Sequence, residues 1–442
     1  RTFVQRNEIR AMALSADGRL ALAAESEPNL IQMVQPYEMY LWSLEGIAAK
    51  EAGLELSRPA ETYQLRKLAL AAREALEAAR RALELGQVTT AQEALMRGKA
   101  LPGFERDPEW LALWRQVGRV NKQKKGLLFD QCILTIQHNR EAIFTLACTQ
   151  DGHYALAGGY GGGLKAWDLQ NGVCFQELAG RSVNITGLGL VSADDRSPDS
   201  HLLVVRGYSL LELWDWKNNR LLATQTINSQ LRLVVSPDGR WLVTSGLSQP
   251  ELAVYQLLIA AGQERIDFED SFNIRGMRTR ENWFGCLACS PDGQVCAAGA
   301  NDGSLVVWNP ESGAHQVLIL GGDDAVHAVV FTHDGQTLLS GHENGEIRAW
   351  QLFPALRCIK KWAAHPQALR SLAVTPDGRF AFSGGDDCVV RAWEISSGAC
   401  LRTLTGHIDA VTALCVIDEG FRVVSGSADG TLRVWDLDWE MV

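Results

Sequence analysis

The sequence predicts a mainly β fold built from repeated four-stranded antiparallel units. Large aromatic residues end a series of short alternating apolar runs, with steps of 47, 41, 53, 42, 43 and 42 residues between them. A period of roughly 40–45 residues is typical of a propeller or a solenoid. The residues in this series are Trp167, Trp214, Tyr255, Trp308, Trp350, Trp393 and Trp435. Trp42 fits the same pattern but precedes Trp167 by 125 residues, which indicates an insertion between them.

Each unit repeats one order of elements. An apolar alternating run comes first, and in most units an Asp-Gly pair follows it. Asp-Gly between two apolar runs favours a tight hairpin because both residues accept a positive φ. A second run carries Ser-Gly or Ala-Gly, a third ends in the aromatic residue, and a fourth closes the unit. Four antiparallel strands per repeat form one blade of a propeller.

Several short motifs resemble those of the Trp-Asp (WD) repeat β-propeller family. The pairs Trp167-Asp168, Trp214-Asp215 and Trp435-Asp436 resemble the name motif, and Gly406-His407 resembles its Gly-His pair. The resemblance implies a hydrogen-bonded tetrad of His, Ser or Thr, Asp and Trp inside a blade. Two complete sets are present: His365, Ser383, Asp387 and Trp393, and His407, Ser425, Asp429 and Trp435. Gly161 and Asn344 replace the Asp elsewhere, and Tyr255 replaces a Trp, so those blades should depend more on packing.

The number of units predicts a closed ring of eight blades, which we favour over the commoner seven. Including the unit that ends at Trp42, eight units can be counted, and the last stops at Val442 without a fourth strand. Residues Arg1–Gln5 resemble Arg402–Gly406 and are expected to supply that strand. Pairing the first and last segments in one blade would close the ring and remove exposed sheet edges.

Residues 61–119 change to a helical pattern. Apolar residues recur there at steps of three or four, Gly86 is a plausible helix stop, and Asp107-Pro108 is typical of a helix start. We predict three helices, at about 61–85, 90–100 and 107–119. The first two resemble a tetratricopeptide-like helical pair.

The helical segment divides the chain into three parts. We expect residues 1–50 to hold the closing strand and the start of the first blade, and residues 51–125 to be a helical insertion in that blade. Residues 126–442 are then expected to form the other blades. The fourth strand of the first blade is then expected at Leu127–Gln137.

Charge and composition limit the possible partners. The net charge of −10 argues against a general nucleic-acid binder, which would carry a basic excess. No apolar run approaches about 18 residues, so no membrane helix is predicted. The ten scattered cysteines favour reduced thiols and a cytoplasmic location. Residues 61–125 carry 13 Lys/Arg against 8 Asp/Glu, which fits either ordinary surface helices or a basic arm that docks an acidic partner. Because the chain starts at Arg1 rather than Met, we expect further domains before it.

No catalytic, cofactor or metal site is predicted. The glycine-rich run 158–163 lacks the Gly-Lys-Ser/Thr ending of a phosphate-binding loop, and His342-Glu343 lacks a second His four residues on. Cys286, Cys289 and Cys296 have a spacing that suggests metal, but the first two fall on a predicted strand, where residues i and i+3 face opposite sides.

The candidate binding residues lie in the loops that enter the first strand of each unit. The loop 273–283 is the long one, with Arg275, Met277, Arg278, Arg280 and Trp283. Arg and Trp are enriched at binding hot spots, although a solvated loop with Trp283 packed into the blade explains the pattern as well. The other candidates in these loops are Arg140, Arg181, Asn184, Gln230, Asp324, Gln367 and Asp409.

These observations predict a non-catalytic scaffold or sensor module that recognises a protein or peptide. One alternative is the C-terminal sensor or regulatory part of a larger signalling ATPase, kinase, protease or cell-death protein, as the resemblance implies. A second is a propeller that binds nucleic acid through the basic arm and the arginine loop. An enzyme would need convergent carboxylates, histidines or a metal at the central opening, and the sequence offers no such set.

Overall fold

The computed structural model divides the chain into two compact units, Arg1–Gln123 and Lys124–Val442. The structure describes residues 8–14, 20–26, 39–43, 62–99, 110, 112–114, 116–117, 124–138, 141–149, 151–159, 161, 163–178, 184–191, 202–206, 210–226, 230–246, 252–259, 266–273, 283–312, 315–319, 324–353 and 355–441.

The first unit holds a small sheet and helices. Its antiparallel sheet has the order β1 (Glu8–Leu14), β2 (Leu20–Ser26) and β3 (Met39–Ser43). Helices α1 (Thr62–Glu84) and α2 (Val88–Lys99) follow, and residues 110, 112–114 and 116–117 are also helical. The three predicted helical segments are therefore helical. The tetratricopeptide-like character of the helical pair is not confirmed, and the strand that follows the helices pairs outside this sheet, as described below.

Small residues allow the helices to pack closely. Ala79 and Ala91 are completely buried, one on each helix. Gly98 lies so close to Trp110 that a Cβ atom at this position would be 1.8 Å from Cη2 of the indole ring. The helical segment therefore has a small core of alanine and leucine side chains and the indole of Trp110, which leaves no room for a side chain at Gly98.

Within the described part of the second unit, the chain forms seven four-stranded antiparallel sheets, which we number as blades 1 to 7. Blade 1 contains β5 (Ile143–Cys148), β6 (Tyr154–Gly159), β7 (Leu164–Asp168) and β8 (Cys174–Leu178). Blade 2 contains β9 (Gly187–Val191), β10 (Leu202–Arg206), β11 (Leu210–Asp215) and β12 (Arg220–Thr226). Blade 3 contains β13 (Gln230–Val235), β14 (Trp241–Gly246), β15 (Leu252–Ile259) and β16 (Ile266–Asn273). Blade 4 contains β17 (Phe284–Cys289), β18 (Cys296–Ala300), β19 (Ser304–Trp308) and β20 (His315–Ile319).

The last three blades follow in chain order, except that β4 completes blade 7. Blade 5 contains β21 (Val326–Phe331), β22 (Thr337–His342), β23 (Glu346–Gln351) and β24 (Arg357–Ala363). Blade 6 contains β25 (Leu369–Val374), β26 (Phe380–Gly385), β27 (Val390–Glu394) and β28 (Ala399–Leu404). Blade 7 contains β29 (Val411–Ile417), β30 (Arg422–Ser427), β31 (Thr431–Met441) and β4 (Lys124–Gln137).

The first strands of the blades form the inner layer of a β-propeller. Each of these strands contacts the first strand of the next blade, and β29 of blade 7 contacts β5 of blade 1. Apolar clusters fill the space between neighbouring blades; one of them joins Ile143 of blade 1 to Val424 of blade 7. Side chains also bridge the seams by hydrogen bonds: Ser371 Oγ donates to the carbonyl of Val411 at 3.4 Å, and Cys286 Sγ to that of Val326 at 3.4 Å.

The prediction of eight blades and of closure by the first five residues is wrong. The last strand, β31, pairs along its whole length with β4, so Lys124–Gln137 completes blade 7 and not the first blade. The sheet β1–β3 belongs to the other compact unit. Residues Arg1–Gln5 lie outside the described residues. The repeat count failed because it assigned β1–β3 and β4 to one blade by their order in the sequence, while strand pairing assigns them to different sheets.

One hairpin motif recurs between the first two strands of five blades. A Ser or Thr hydroxyl donates to the carboxylate of the Asp two residues later, and the glycine after that Asp has φ between +66° and +71°. Burial opposes ionisation of Asp238 and Asp334, but the hydroxyl and backbone N–H donors outweigh it and lower the pKa of both side chains. The pairs are Thr149 and Asp151, Ser236 and Asp238, Ser290 and Asp292, Thr332 and Asp334, and Thr375 and Asp377.

Candidate functional site

The structure brings together both tetrads that the resemblance implies. In blade 6, His365 Nδ1 lies 2.8 Å from Asp387 Oδ1 and its Nε2 lies 2.7 Å from Ser383 Oγ. Trp393 Nε1 donates to the same hydroxyl at 2.8 Å. In blade 7, the corresponding distances are 2.9, 2.7 and 2.8 Å for His407, Ser425, Asp429 and Trp435. Each tetrad ties the loop that enters a first strand to the middle of its own blade.

The tetrad histidines are held neutral. Burial lowers the pKa of His365 and His407, although the neighbouring aspartates oppose the effect. The neutral ring suits the network, since one ring nitrogen can donate to the carboxylate while the other accepts from the serine hydroxyl. These four-residue networks are buried, so their role is to fix the loops and not to bind a partner directly.

Two other blades use histidine in ways that the spacing did not reveal. In blade 1, Trp167 Nε1 donates directly to His138 Nδ1 at 3.0 Å, and His138 Nε2 lies 3.1 Å from the carbonyl of Gly163. In blade 5, His342 Nε2 lies 2.8 Å from Ser340 Oγ, which also accepts from Trp350 Nε1 at 2.8 Å. Burial lowers the pKa of both histidines to about 4.

Blade 4 lacks the acceptor that its tryptophan needs. Trp308 is buried, and its Nε1 has no hydrogen-bond partner among the described residues. In blades 5, 6 and 7, the residue ten positions before the tryptophan is a serine that accepts this hydrogen bond at 2.8 Å. In blade 4 that position is Ala298.

We therefore expect Ala298→Ser to stabilise the propeller by about 1 kcal/mol, the usual net value of a hydrogen bond that satisfies a buried donor. Urea unfolding of the two proteins measures the difference. Ala297→Ser is the matched control because it adds the same hydroxyl at the neighbouring buried position without reaching Trp308. Equal or greater stability of the control would contradict the assignment of Ser340, Ser383 and Ser425 as the tryptophan acceptors.

Most of the predicted arginine loop lies outside the described residues. This applies to Arg275, Met277, Arg278 and Arg280, and also to Arg140 and Arg181. Trp283 is described: its backbone N–H donates to Asn301 Oδ1 at 3.0 Å, and its half-buried ring lies against Gly285, where a Cβ atom would be 3.0 Å from Cζ3. Trp283 is thus packed against the start of blade 4.

The other predicted contact residues lie just before or at the start of the inner strands. Asn184 Oδ1 accepts from the backbone of Gly161 at 3.1 Å, and Asp324 Oδ2 accepts from Asn344 at 2.9 Å and Arg348 at 3.2 Å. Gln367 and Asp409 are exposed. Gln230 is the first residue of β13. The structure does not join these residues into one cluster; it places them in separate blades at corresponding positions.

The sequence reasoning missed two features of this face. Arg370 donates to both carboxylate oxygens of Asp386, from Nε at 2.8 Å and from Nη2 at 2.6 Å. Arg370 also contacts Glu343, and Glu343 pairs with His327. Ile408, in the loop that enters blade 7, has 86% of its surface exposed. The hydrophobic residue after the Gly-His pair was visible in the sequence, but its exposure depends on how the tetrad turns the loop outward.

The cysteines with metal-like spacing belong to the core. Cys286 and Cys289 pack in different apolar clusters, on opposite sides of the strand as alternation requires. Burial raises the pKa of Cys286 to about 12. In the part of the chain that the structure describes, no group of three His, Cys, Asp or Glu residues could hold a metal ion. None of the described helices is long and apolar enough to cross a membrane.

Comparison with known families agrees with this geometry. The sequence matches the WD40 family, described as WD domain, G-beta repeat, over residues 130–168, 277–309, 315–351, 356–394 and 398–436. The chain contains WD40 repeats. Four of the five matched WD40 segments begin with the outer strand of one blade and continue with the first three strands of the next; residues 398–436, for example, cover β28 and then β29, β30 and most of β31. The first matched segment starts within β4, the strand that completes blade 7.

Several curated proteins share part of these WD40 repeats. The chain is 26% identical over 204 residues to the Protein LST8 homolog of Drosophila melanogaster, covering 44% of this chain and 58% of that protein. It is 25% identical over 221 residues to the Serine-threonine kinase receptor-associated protein of Rattus norvegicus, covering 50% and 57%. It is 27% identical over 198 residues to Telomerase protein component 1 of Mus musculus, covering 44% of this chain and 7% of that protein. The chain thus spans less than two thirds of the length of these relatives.

Proposed function

We propose that the WD40 propeller is a non-catalytic scaffold or sensor module that binds a protein or peptide partner at the face carrying the loops into the inner strands. The observation that carries the proposal is the contrast on this face between fixed and exposed groups. Buried tetrads and ion pairs hold the loops of blades 5 to 7, while Ile408, Asp409 and Gln367 remain exposed. A rigid backbone with exposed side chains loses little entropy on binding.

The arginine loop before blade 4 is the proposed centre of this interaction, and the basic segment 61–125 is a second candidate surface. Arginine and tryptophan are favoured at binding hot spots, and three arginines and one tryptophan lie within nine residues there. Relatives with WD40 repeats include one whose name states association with a receptor kinase, which supports a scaffold in general terms. We further propose a cytoplasmic location. A more specific form of the scaffold hypothesis is that the propeller is a regulatory part of a larger signalling protein.

Affinity capture from a native lysate, with and without nuclease, tests the proposal. We expect a defined protein to co-purify with the wild-type chain, to survive nuclease treatment, and to be lost with Arg275→Glu, Arg278→Glu and Arg280→Glu combined. The charge-matched control combines Arg357→Glu, Arg379→Glu and Arg402→Glu, three exposed arginines outside the loop, and should retain the partner. Equal loss from both triple variants would mean that net charge and not the loop controls capture. Retention of nucleic acid alone would contradict the scaffold proposal.

A further inference from the structure

Blade 3 has a charged residue at a position where five other blades place small side chains. In six blades the first strand contains a bulge after its first residue, and the residue beyond the bulge pairs with the penultimate residue of the second strand. Five of these residues are small: Thr145, Cys286, Ala328, Ser371 and Ala413. In blade 3 the residue is Arg232, and its partner is Ser245 where the other five blades have glycine.

The side chain of Arg232 crosses the seam between blades 3 and 4. Its Nε donates to the carbonyl of Gly285 at 2.8 Å, and its backbone N–H donates to Ser245 Oγ at 3.2 Å. Ser245 Oγ in turn donates to the carbonyl of Phe284 at 3.0 Å. Arg232 is half-buried, and burial lowers its pKa below the ordinary value. A cation has therefore been moved out of water at a seam that the other blades close with small neutral side chains.

No carboxylate among the described residues compensates this charge. Arg370, the other arginine of a described inner strand, is paired with Asp386 at 2.6 Å. Two arginines of third strands are paired as well, Arg348 with Asp324 at 3.2 Å and Arg391 with Asp387 at 2.5 Å. For Arg232, the hydrogen bonds to described residues involve Nε and the backbone. Arg232 also keeps part of its surface exposed to solvent.

We propose that the Arg232 guanidinium is a receptor for a carboxylate at the seam between blades 3 and 4, and that an acidic side chain of the partner protein occupies it. The second part rests on the proposed function. A guanidinium whose Nε is fixed offers its terminal nitrogens in a constrained orientation, which suits the two oxygens of a carboxylate. Partial burial strengthens such a contact because less water competes for it. Folding has already removed part of the water around Arg232. This desolvation therefore does not reduce the free energy of binding.

The test uses glutarate as the carboxylate probe, with chloride at the same ionic strength as the reference. A ligand that binds the folded state at ten times its Kd raises the folding equilibrium about 11-fold, and above Kd the equilibrium rises in proportion to the ligand concentration. We expect Tm of the wild-type chain to rise with the logarithm of the glutarate concentration above that in the chloride reference. Arg232→Met, which keeps most of the side-chain volume, should show no rise above the chloride reference.

Two further variants separate this site from general effects of charge and folding. Arg357→Met removes the same charge from an exposed arginine that bonds Gln351, and it should respond to glutarate as the wild type does. Arg232→Lys keeps the charge without the fork and should need several-fold more glutarate. An undiminished response of Arg232→Met, or a wild-type Tm in glutarate equal to that in chloride, would overturn the proposal. Because the readout needs no partner protein, its failure would leave the affinity-capture result standing, and failure of capture would leave the glutarate result standing.

Discussion

Acidification from pH 7.5 to 4.5 should lower the free energy of unfolding of the propeller by about 5 kcal/mol through His138 and His342 alone. The ordinary pKa of histidine is 6.5, and burial lowers it to about 4 for both residues in the folded protein. Between these values the unfolded chain binds protons that the folded chain does not, so stability falls as the pH falls. Each pH unit across this window costs about 1.4 kcal/mol per histidine. The lowered pKa values of His365 and His407 act in the same direction.

The hydrogen bonds explain why these rings resist protonation. Trp167 Nε1 is a donor only, and it points at His138 Nδ1. A proton on Nδ1 would place two donors face to face, while the other ring nitrogen is already used toward the carbonyl of Gly163. In blade 5, Nδ1 of His342 faces the backbone carbonyl of Asp324, so the neutral ring carries its proton there and Nε2 accepts from the hydroxyl of Ser340. Both rings are 3% exposed or less, so water cannot solvate the imidazolium.

Urea unfolding at half-unit pH steps from 7.5 to 4.5 measures this effect. His342→Gln should be less stable at pH 7.5 but should lose less stability on acidification than the wild type. His333→Gln changes an exposed histidine of the same blade and should keep the wild-type slope. A slope that is the same in His342→Gln and the wild type would show that other groups control the acid response.

Three aspartates with lowered pKa values, Asp238, Asp334 and Asp429, act at lower pH. Their contribution to the free energy of unfolding is lost only as they become protonated in the folded state.

The repeat pattern predicted most strands because each signal is local. An Asp-Gly turn such as Asp334-Gly335 needs only the residues around it, and the structure shows the donor two residues earlier, Thr332, that completes the motif. The resemblance to the WD-repeat family likewise located both tetrads. The blade count depended on a different kind of information, because β4 and β31 pair across about 300 residues. Nothing in the residues near β4 distinguishes an outer strand of the first blade from that of the last.

Arg232 shows why part of the candidate site was missed. In the sequence it belongs to the run Gln230-Leu-Arg-Leu-Val-Val235, where an alternating strand would send the arginine to solvent. The bulge and the register with Ser245 place it at the position of Ser371 and Ala413 in other blades. The one signal in the sequence is the Ser-Gly pair of the second strand, which in blade 3 (Ser245-Gly246) lies one residue later than in blades 5 to 7.

Gly345→Ala should destabilise the propeller by about 3 kcal/mol, since it adds a backbone clash to the strain of a left-handed residue. Gly345 lies in the turn between β22 and β23 with φ +78°, and an added Cβ atom would be 2.0 Å from the carbonyl oxygen of His365 and 2.7 Å from that of Gln367. Those atoms are backbone, so a side-chain rotation cannot relieve the clash. The Gly345 carbonyl also accepts from the backbone of Ala364 and His365 at 2.9 Å, and these bonds would be lost if the loop moved away.

Gly335→Ala separates the clash from the cost of the backbone conformation. Gly335 has φ +66°, and its added Cβ atom would have Ser290 Cβ as the nearest atom at 3.9 Å. This variant should cost only the strain of a left-handed residue, about 1–2 kcal/mol. The excess destabilisation of Gly345→Ala in urea unfolding therefore measures how tightly blade 5 holds the loop that carries His365 and Gln367.

The same pair of variants tests whether the interaction face is rigid because neighbouring blades hold each other's loops. Gly345 belongs to blade 5, but the loop it contacts enters blade 6 and begins with the tetrad histidine. If the contact is as close as the distances indicate, Gly345→Ala should also weaken capture of the partner at temperatures where the protein is still folded, while Gly335→Ala should not. Equal destabilisation by the two variants would mean that the loop can move without cost. The face would then be held within single blades by the tetrads, and not across the seam between blades 5 and 6.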